Sequence, residues 1–195
     1  MRQHEKARYE YRVFATNLQA TAARLATEAH ISTSESSDET YIASRLNIDS
    51  NVKLRGSQLE VKILRGREIL FELWEPTLQA ELPVDVEIFL EQVAPCLGVQ
   101  IDLVSGGVLS AGEIMSIVER TPSVALIPVH KERTKYIHEM GLSEFVDLST
   151  PGWRFQSVAV ESGDIESARQ LLQLADIASL TNESYPAFLQ RQAFS

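Results

Sequence analysis

Charge on every second residue is the feature that most limits how this chain can fold. It recurs in three places: Arg8-Tyr9-Glu10-Tyr11-Arg12-Val13-Phe14, then Val52-Lys53-Leu54-Arg55 with Leu59-Glu60-Val61-Lys62-Ile63, and then Val129-His130-Lys131-Glu132-Arg133. Successive side chains of a strand point to opposite faces. Arg8, Glu10 and Arg12 therefore share one face, and Tyr9, Tyr11 and Val13 share the other. A solvated face of an antiparallel sheet carries the same alternation, with cross-strand ion pairs. Several such strands together can instead line a polar cavity suited to a highly charged anion with its metal ion.

Composition sets bounds on both readings. The 195 residues suit one domain, and no linker or fixed-period repeat divides them, so residues 1–195 are read as a single domain. A net charge of -9 argues against a broad nucleic-acid footprint and is first a matter of solubility. Apolar runs such as Val124-Ala125-Leu126-Ile127 are far shorter than the roughly 20 residues of a membrane span, so no membrane partner is expected. Cys96 is the single cysteine, which excludes an internal disulfide and an all-cysteine zinc site; it is expected as a packed thiol. Met1-Arg2-Gln3-His4-Glu5-Lys6 lacks the apolar core of a signal peptide, and the cytoplasm is the expected location.

Along the chain, a strand is expected over 8–15, followed by a helix capped by Thr16 or Asn17, with Leu18, Ala22, Leu25 and Ala29 at helical spacing. Ile31 to Glu39 is rich in Ser, Thr, Glu and Asp and reads as loop with room for a short strand, and Thr40-Tyr41-Ile42 restarts strand composition. Asn51 to Trp74 reads as a meander with turns at Arg55-Gly56-Ser57-Gln58 and Arg65-Gly66-Arg67-Glu68. Pro83 precedes a helix with Val86, Phe89, Leu90 and Val93 on one face. Ser110 and Glu113 fit a capping box before Ile114, Ile117 and Val118. Three strands follow, over 123–137, 144–148 and 153–161, and then two helices, one opened by Asp164 and one starting near Asn182. This order predicts an α+β fold with mainly antiparallel pairing.

Familiar chemical motifs are missing. There is no phosphate loop, no dinucleotide fingerprint and no nucleophile elbow, and His4, His30, His130 and His138 do not fall at metal-ligand spacing. What remains is the charged alternation. Arg12, Lys53, Arg55, Lys62, Lys131, Arg133 and Arg154 suit phosphate oxygens. Glu10, Glu60, Glu72, Glu144, Asp147 and Glu161 are interleaved with them, and hard divalent cations take such oxygen ligands.

The order of these pieces resembles the CYTH superfamily, the triphosphate tunnel metalloenzymes. Tyr9-Glu10-Tyr11-Arg12-Val13-Phe14 stands where that family carries Glu-x-Glu-x-Lys, and Glu39-Thr40-Tyr41-Ile42 is similar to its Asp-x-Tyr-Tyr segment. Val52-Lys53-Leu54-Arg55, Leu59-Glu60-Val61-Lys62, Lys131-x-Arg133-x-x-Tyr136 and Phe145-Val146-Asp147-Leu148 resemble successive tunnel strands. Val158-Ala159-Val160-Glu161, before a helix, resembles the closing Glu-x-Glu strand. The resemblance spans nearly the whole chain. It implies a closed antiparallel barrel, or tunnel, of about eight strands with helices packed outside.

The resemblance also implies a function. Family members include thiamine-triphosphatases, inorganic tripolyphosphatases and a class of adenylate cyclase. Here it implies a small phosphorylated anion held by Arg12, Lys53, Arg55, Lys62, Lys131 and Arg133. A magnesium or manganese ion is then expected on Glu10 and Glu161, with Glu60 or Asp147 completing the set. The reaction would be attack of water on a terminal phosphorus, helped by positioning and charge stabilisation. Two departures stand against it: the signature's first Glu falls on Arg8, and the first Glu of the closing pair falls on Ala159. An arginine there places positive charge where the cation belongs, or takes over part of the metal's work on a phosphate. Binding of an anion without turnover, or a scaffold barrel of the same fold, is therefore the alternative to a phosphohydrolase. A homodimer is compatible with the sequence.

Overall fold

The computed structural model describes residues 6–194, so His4 and the rest of Met1–Glu5 lie outside it. Ten strands and the helices follow in the order β1 (Arg8–Ala15), α1 (Gln19–Glu28), β2 (Ile31–Ser44), β3 (Ser50–Arg55), β4 (Gln58–Glu68), β5 (Phe71–Glu81), β6 (Val84–Asp85), α2 (Val86–Ile88), β7 (Val108–Leu109), α3 (Ala111–Glu119), β8 (Val124–His138), β9 (Gly141–Ser149), β10 (Arg154–Ser162), α4 (Ile165–Ala175) and α5 (Tyr185–Phe194). Helix α2 runs on through a π-helical turn, Phe89–Val93.

Eight strands close into a barrel in the order β1-β10-β9-β8-β2-β3-β4-β5, with β5 returning to β1, and β6 and β7 form a separate two-stranded sheet. This is the expected closed antiparallel barrel of an α+β protein. Contacts divide the chain into two compact units. The first comprises the residues up to Ser37, Leu64–Glu75 and Val129–Ser184; the second comprises Asp38–Ile63, Pro76–Pro128 and Tyr185–Ser195.

In the first unit, Tyr11 and Val13 of β1 and Val158 and Val160 of β10 pack against Leu25 of α1 and Leu171, Leu172 and Ala175 of α4. Apolar residues at period two on the strands meet apolar residues at helical spacing on the helices. In the second unit, Val52, Leu54, Leu59 and Val61 pack with Val86, Phe89, Val93, Ile114 and Ile117. Ser110 caps α3 in the expected box, accepting from the Glu113 amide while Glu113 accepts from the Ser110 amide. Asp164 caps α4. The strand face turned away from α1 and α4 in the first unit, and from α2 and α3 in the second, carries the alternating charges and is the inner face.

Two expectations are corrected. Ile31 to Glu39 is strand throughout, part of β2, with Ser34 bonded to Thr134 and Ser36 to Glu132 on β8. The turn expected at Arg65–Glu68 lies further on: β4 continues to Glu68 and the chain reverses at Ile69 and Leu70, where Ile69 takes a positive φ of 57°. Among the described residues no helix is long and apolar enough to cross a membrane.

Candidate functional site

Arg12 is the hub of the first unit's inner face. Its side chain is almost fully buried. Nε donates to Glu10 Oε1 at 2.7 Å, and Nη1 donates to Glu144 Oε1 at 2.7 Å and to Ser157 Oγ at 3.1 Å. Nη2 lies 3.8 Å from Glu161 Oε1, whose other oxygen is 3.7 Å from Arg8 Nη1. Strand register explains how one guanidinium reaches so many carboxylates. Arg12 of β1 stands opposite Ala159 of β10, which stands opposite Glu144 of β9. Arg12 and Glu144 are thus two strand spacings apart, about 10 Å, and their side chains meet above a residue that offers only a methyl group. The backbone of Arg12 is held as well. Its amide donates to Asn182 Oδ1 at 2.9 Å, its carbonyl accepts from the Glu183 amide at 2.8 Å, and Asn182 Nδ2 donates to the Leu70 carbonyl.

Lys131, Arg133 and Lys135 of β8 stand opposite Leu148, Val146 and Glu144, and so share this face. Arg133 Nη1 donates to Glu35 Oε1 at 2.8 Å, its Nε lies 3.4 Å from Glu144 Oε2, and Lys135 Nζ is 3.0 Å from the same Glu35 oxygen. Arg133 is buried whereas the Glu35 side chain is 45% exposed. Burial pushes the Glu144 carboxyl up, but the charges of Arg12, Arg133 and Lys131 outweigh it and hold Glu144 at about 2. Glu72, opposite Glu10 on β5, shows the reverse balance. Burial, aided by the Glu10 charge, raises it despite a hydrogen bond from Trp74 Nε1 and the nearby Arg67.

The second unit has its own cluster. Glu39 is fully buried; it accepts from Tyr41 Oη at 2.8 Å and Lys53 Nζ at 3.2 Å, with Arg55 Nη1 at 3.8 Å. Glu60 bridges Lys53 at 3.3 Å and Arg55 at 2.8 Å. Lys62 lies on the same face, opposite Asn51. Tyr41 stacks on Tyr185 of α5 with ring centroids 5.4 Å apart.

The predicted residues are therefore distributed as follows. Arg12, Lys131, Arg133, Glu10 and Glu161 come together in the first unit, while Lys53, Arg55, Lys62 and Glu60 belong to the second. Asp147 points to the other side of β9, where it is exposed and accepts from Gln156 Nε2 at 2.7 Å. Sequence reasoning missed Glu35, Glu39, Lys135, Ser157 and Asn182. Glu35 and Glu39 sat in a stretch read as loop, whereas Lys135 follows Lys131 and Arg133 at the same period two and was open to detection.

A magnesium or manganese ion needs carboxylate oxygens that it can coordinate directly. Glu10, Glu144 and Glu161 instead face the guanidinium of Arg12, and Arg8 stands beside Glu161. Among the described residues no group of three or more His, Cys, Asp or Glu is placed to hold a metal ion. This donor set does not fit a divalent cation.

No family model and no curated protein matches the chain. Solved structures match it along almost its whole length. A candidate adenylate cyclase from Bacillus halodurans aligns with a TM-score of 0.55 at 14% identity, over 97% of this chain and 98% of that one. A candidate adenylyl cyclase from Hippeastrum, described as having a dominant triphosphatase activity, aligns at 0.52 with 11% identity, over 96% and 95% of the two chains. A conserved hypothetical protein from Pyrococcus furiosus gives 0.52 at 10% identity, over 91% and 98%. At these identities the likeness is one of fold.

Proposed function

We propose that this barrel belongs with the triphosphate tunnel proteins and binds a small phosphorylated anion on the inner face of its first unit. One observation carries the reading: buried Arg133 and neighbouring Lys135 both hold the half-exposed carboxylate of Glu35. A carboxylate shared by two cations marks a position that a phosphate oxygen can take, and Glu35 has solvent to move into. Lys131 adjoins it on β8, on the same face, and Arg8 lies further round that face, beside Glu161. The sequence resemblance and the triphosphatase activity described for the Hippeastrum protein support a triphosphate-like ligand. The second unit's Lys53, Arg55 and Lys62 form a further basic group of the same kind.

The experiment is thermal shift with tripolyphosphate. The anion is expected to raise the melting temperature of the wild type, Glu35→Gln to strengthen binding, and Arg133→Ala to weaken it about tenfold or more, as loss of a charge-assisted hydrogen bond of about 1.5–3 kcal/mol implies. If Glu35→Gln leaves the affinity unchanged, the assigned position is wrong.

Hydrolysis is the second reading, favoured by that triphosphatase activity. Phosphate release from tripolyphosphate that Glu10→Gln abolishes would establish it.

A further inference from the structure

The first unit's inner face is built around arginine. Glu10 and Glu144 each bind Arg12 at 2.7 Å, and Glu161 stands between Arg12 and Arg8 at 3.8 and 3.7 Å. Three further features fit this use. Ala159 is fully buried and leaves open the path that the Arg12 side chain takes to Glu144. Ser157 accepts an Nη1 hydrogen bond. Asn182 fixes the Arg12 backbone amide from outside the β1–β10 ladder.

We infer that Arg8 and Arg12 stand in for a divalent cation on this face, so that the site takes its anion as the metal-free species. A guanidinium stays protonated across the accessible pH range. It supplies permanent positive charge at the carboxylates without coordination geometry and without dependence on metal supply. A divalent ion entering here would have to strip a tethered guanidinium from each carboxylate and then sit beside its charge. The roles of the two arginines differ. Arg12 spends Nε and Nη1 on Glu10, Glu144 and Ser157 and holds the carboxylates in place. Arg8, with a side chain 46% exposed and a 3.7 Å contact to Glu161 that is longer than Arg12's 2.7 Å contacts to Glu10 and Glu144, is the one that can turn to a phosphate oxygen. The ligand half of this inference rests on the anion-binding reading above; the arginine half does not.

The test uses the full chain and two probes. Mn²⁺ is titrated while the electron paramagnetic resonance signal of the free aqua ion is followed. The wild type is expected to leave the signal at its protein-free intensity. The variant Arg8→Glu/Arg12→Lys/Ala159→Glu, and to a smaller degree Arg8→Glu alone, is expected to bind Mn²⁺ at least about tenfold more tightly, the scale on which neighbouring groups tune metal sites. Arg8→Glu alters a half-exposed side chain and serves if the triple variant does not fold. Mn²⁺ binding by the wild type that Glu10→Gln or Glu161→Gln removes would overturn the assignment. Calorimetry with tripolyphosphate, in chelator and then in excess magnesium, addresses the ligand. Equal or weaker binding in magnesium is expected, and tighter binding by about tenfold or more would overturn the metal-free assignment. If tripolyphosphate binds in neither condition, the anion-binding reading fails while the Mn²⁺ titration still decides the role of the arginines.

Discussion

Glu144 is ionised where burial alone would keep it neutral, because Arg12, Arg133 and Lys131 surround it. Its carboxyl falls from an ordinary 4.5 to about 2 in the folded protein. The unfolded chain therefore takes up this proton first as the pH drops. The stabilisation is complete above 4.5 and is lost as the pH falls through about 2. At about 1.4 kcal/mol per unit it amounts to about 3 kcal/mol. Glu144→Gln should remove most of that acid-side slope in urea unfolding measured between these limits. At neutral pH it should also cost about 3–5 kcal/mol, since Arg12 and Arg133 lose a buried counter-ion. An unchanged slope would mean that other carboxylates carry the acid response. The residues of this cluster were legible in the sequence as alternating charges, Glu144 among them. Their pairing was not. Arg12 and Glu144 are 132 positions apart and meet because Ala159 intervenes, and no local pattern encodes a contact made over a third strand.

At the scale of elements, strands with one apolar face were readable from their period, which gave β1, β3, β8, β9 and β10 close to their observed bounds and the start of β4. Strand β2 was not, because Ile31 to Ser36 is exposed on both faces and its Ser, Thr and Glu residues give no apolar alternation. The β4–β5 turn was misplaced for the opposite reason. Gly66 looks like a turn residue yet lies within β4, whereas the reversal uses Ile69, a branched residue at φ 57° with its side chain 75% exposed. Left-handed backbone costs a non-glycine residue about 1–2 kcal/mol, and a β-branched side chain is a poor choice for it. The exposed side chain returns little packing energy. Ile69→Gly is therefore expected to stabilise the protein by about 1 kcal/mol after the entropic cost of glycine, read as a higher urea midpoint. Loss of stability would show that Ile69 makes a contact worth more than its strain. Gly141 is the contrasting case: at φ 148°, a Cβ there would overlap the Glu161 carbonyl oxygen, so glycine sets how closely the β8–β9 turn approaches β10.

For the whole molecule, the formal charge of -9 and the two inner faces have to be considered separately. On the first unit's inner face Arg8, Arg12, Lys131, Arg133 and Lys135 meet Glu10, Glu35, Glu72, Glu144 and Glu161, and on the second Lys53, Arg55 and Lys62 meet Glu39 and Glu60. These faces are close to neutral, so the acidic excess belongs to the remaining side chains, most of them exposed. Salt acts differently on the two populations. Exposed like charges repel one another and are screened within about 10 Å at 0.1 M salt, which relieves the folded state of self-repulsion. Buried pairs such as Arg12–Glu144 are screened much less, since counter-ions cannot reach them. Raising sodium chloride from low millimolar to about 0.5 M at neutral pH should therefore raise the melting temperature, by about 2–4 °C if the relieved repulsion is about 1 kcal/mol. A fall would mean that the inner pairs are open to solvent and ions, so that their attraction, rather than the surface repulsion, is what salt removes. Chloride should be compared with sulfate, because a divalent oxyanion that raises the melting temperature further at equal ionic strength would be occupying the basic groups as well as screening the surface.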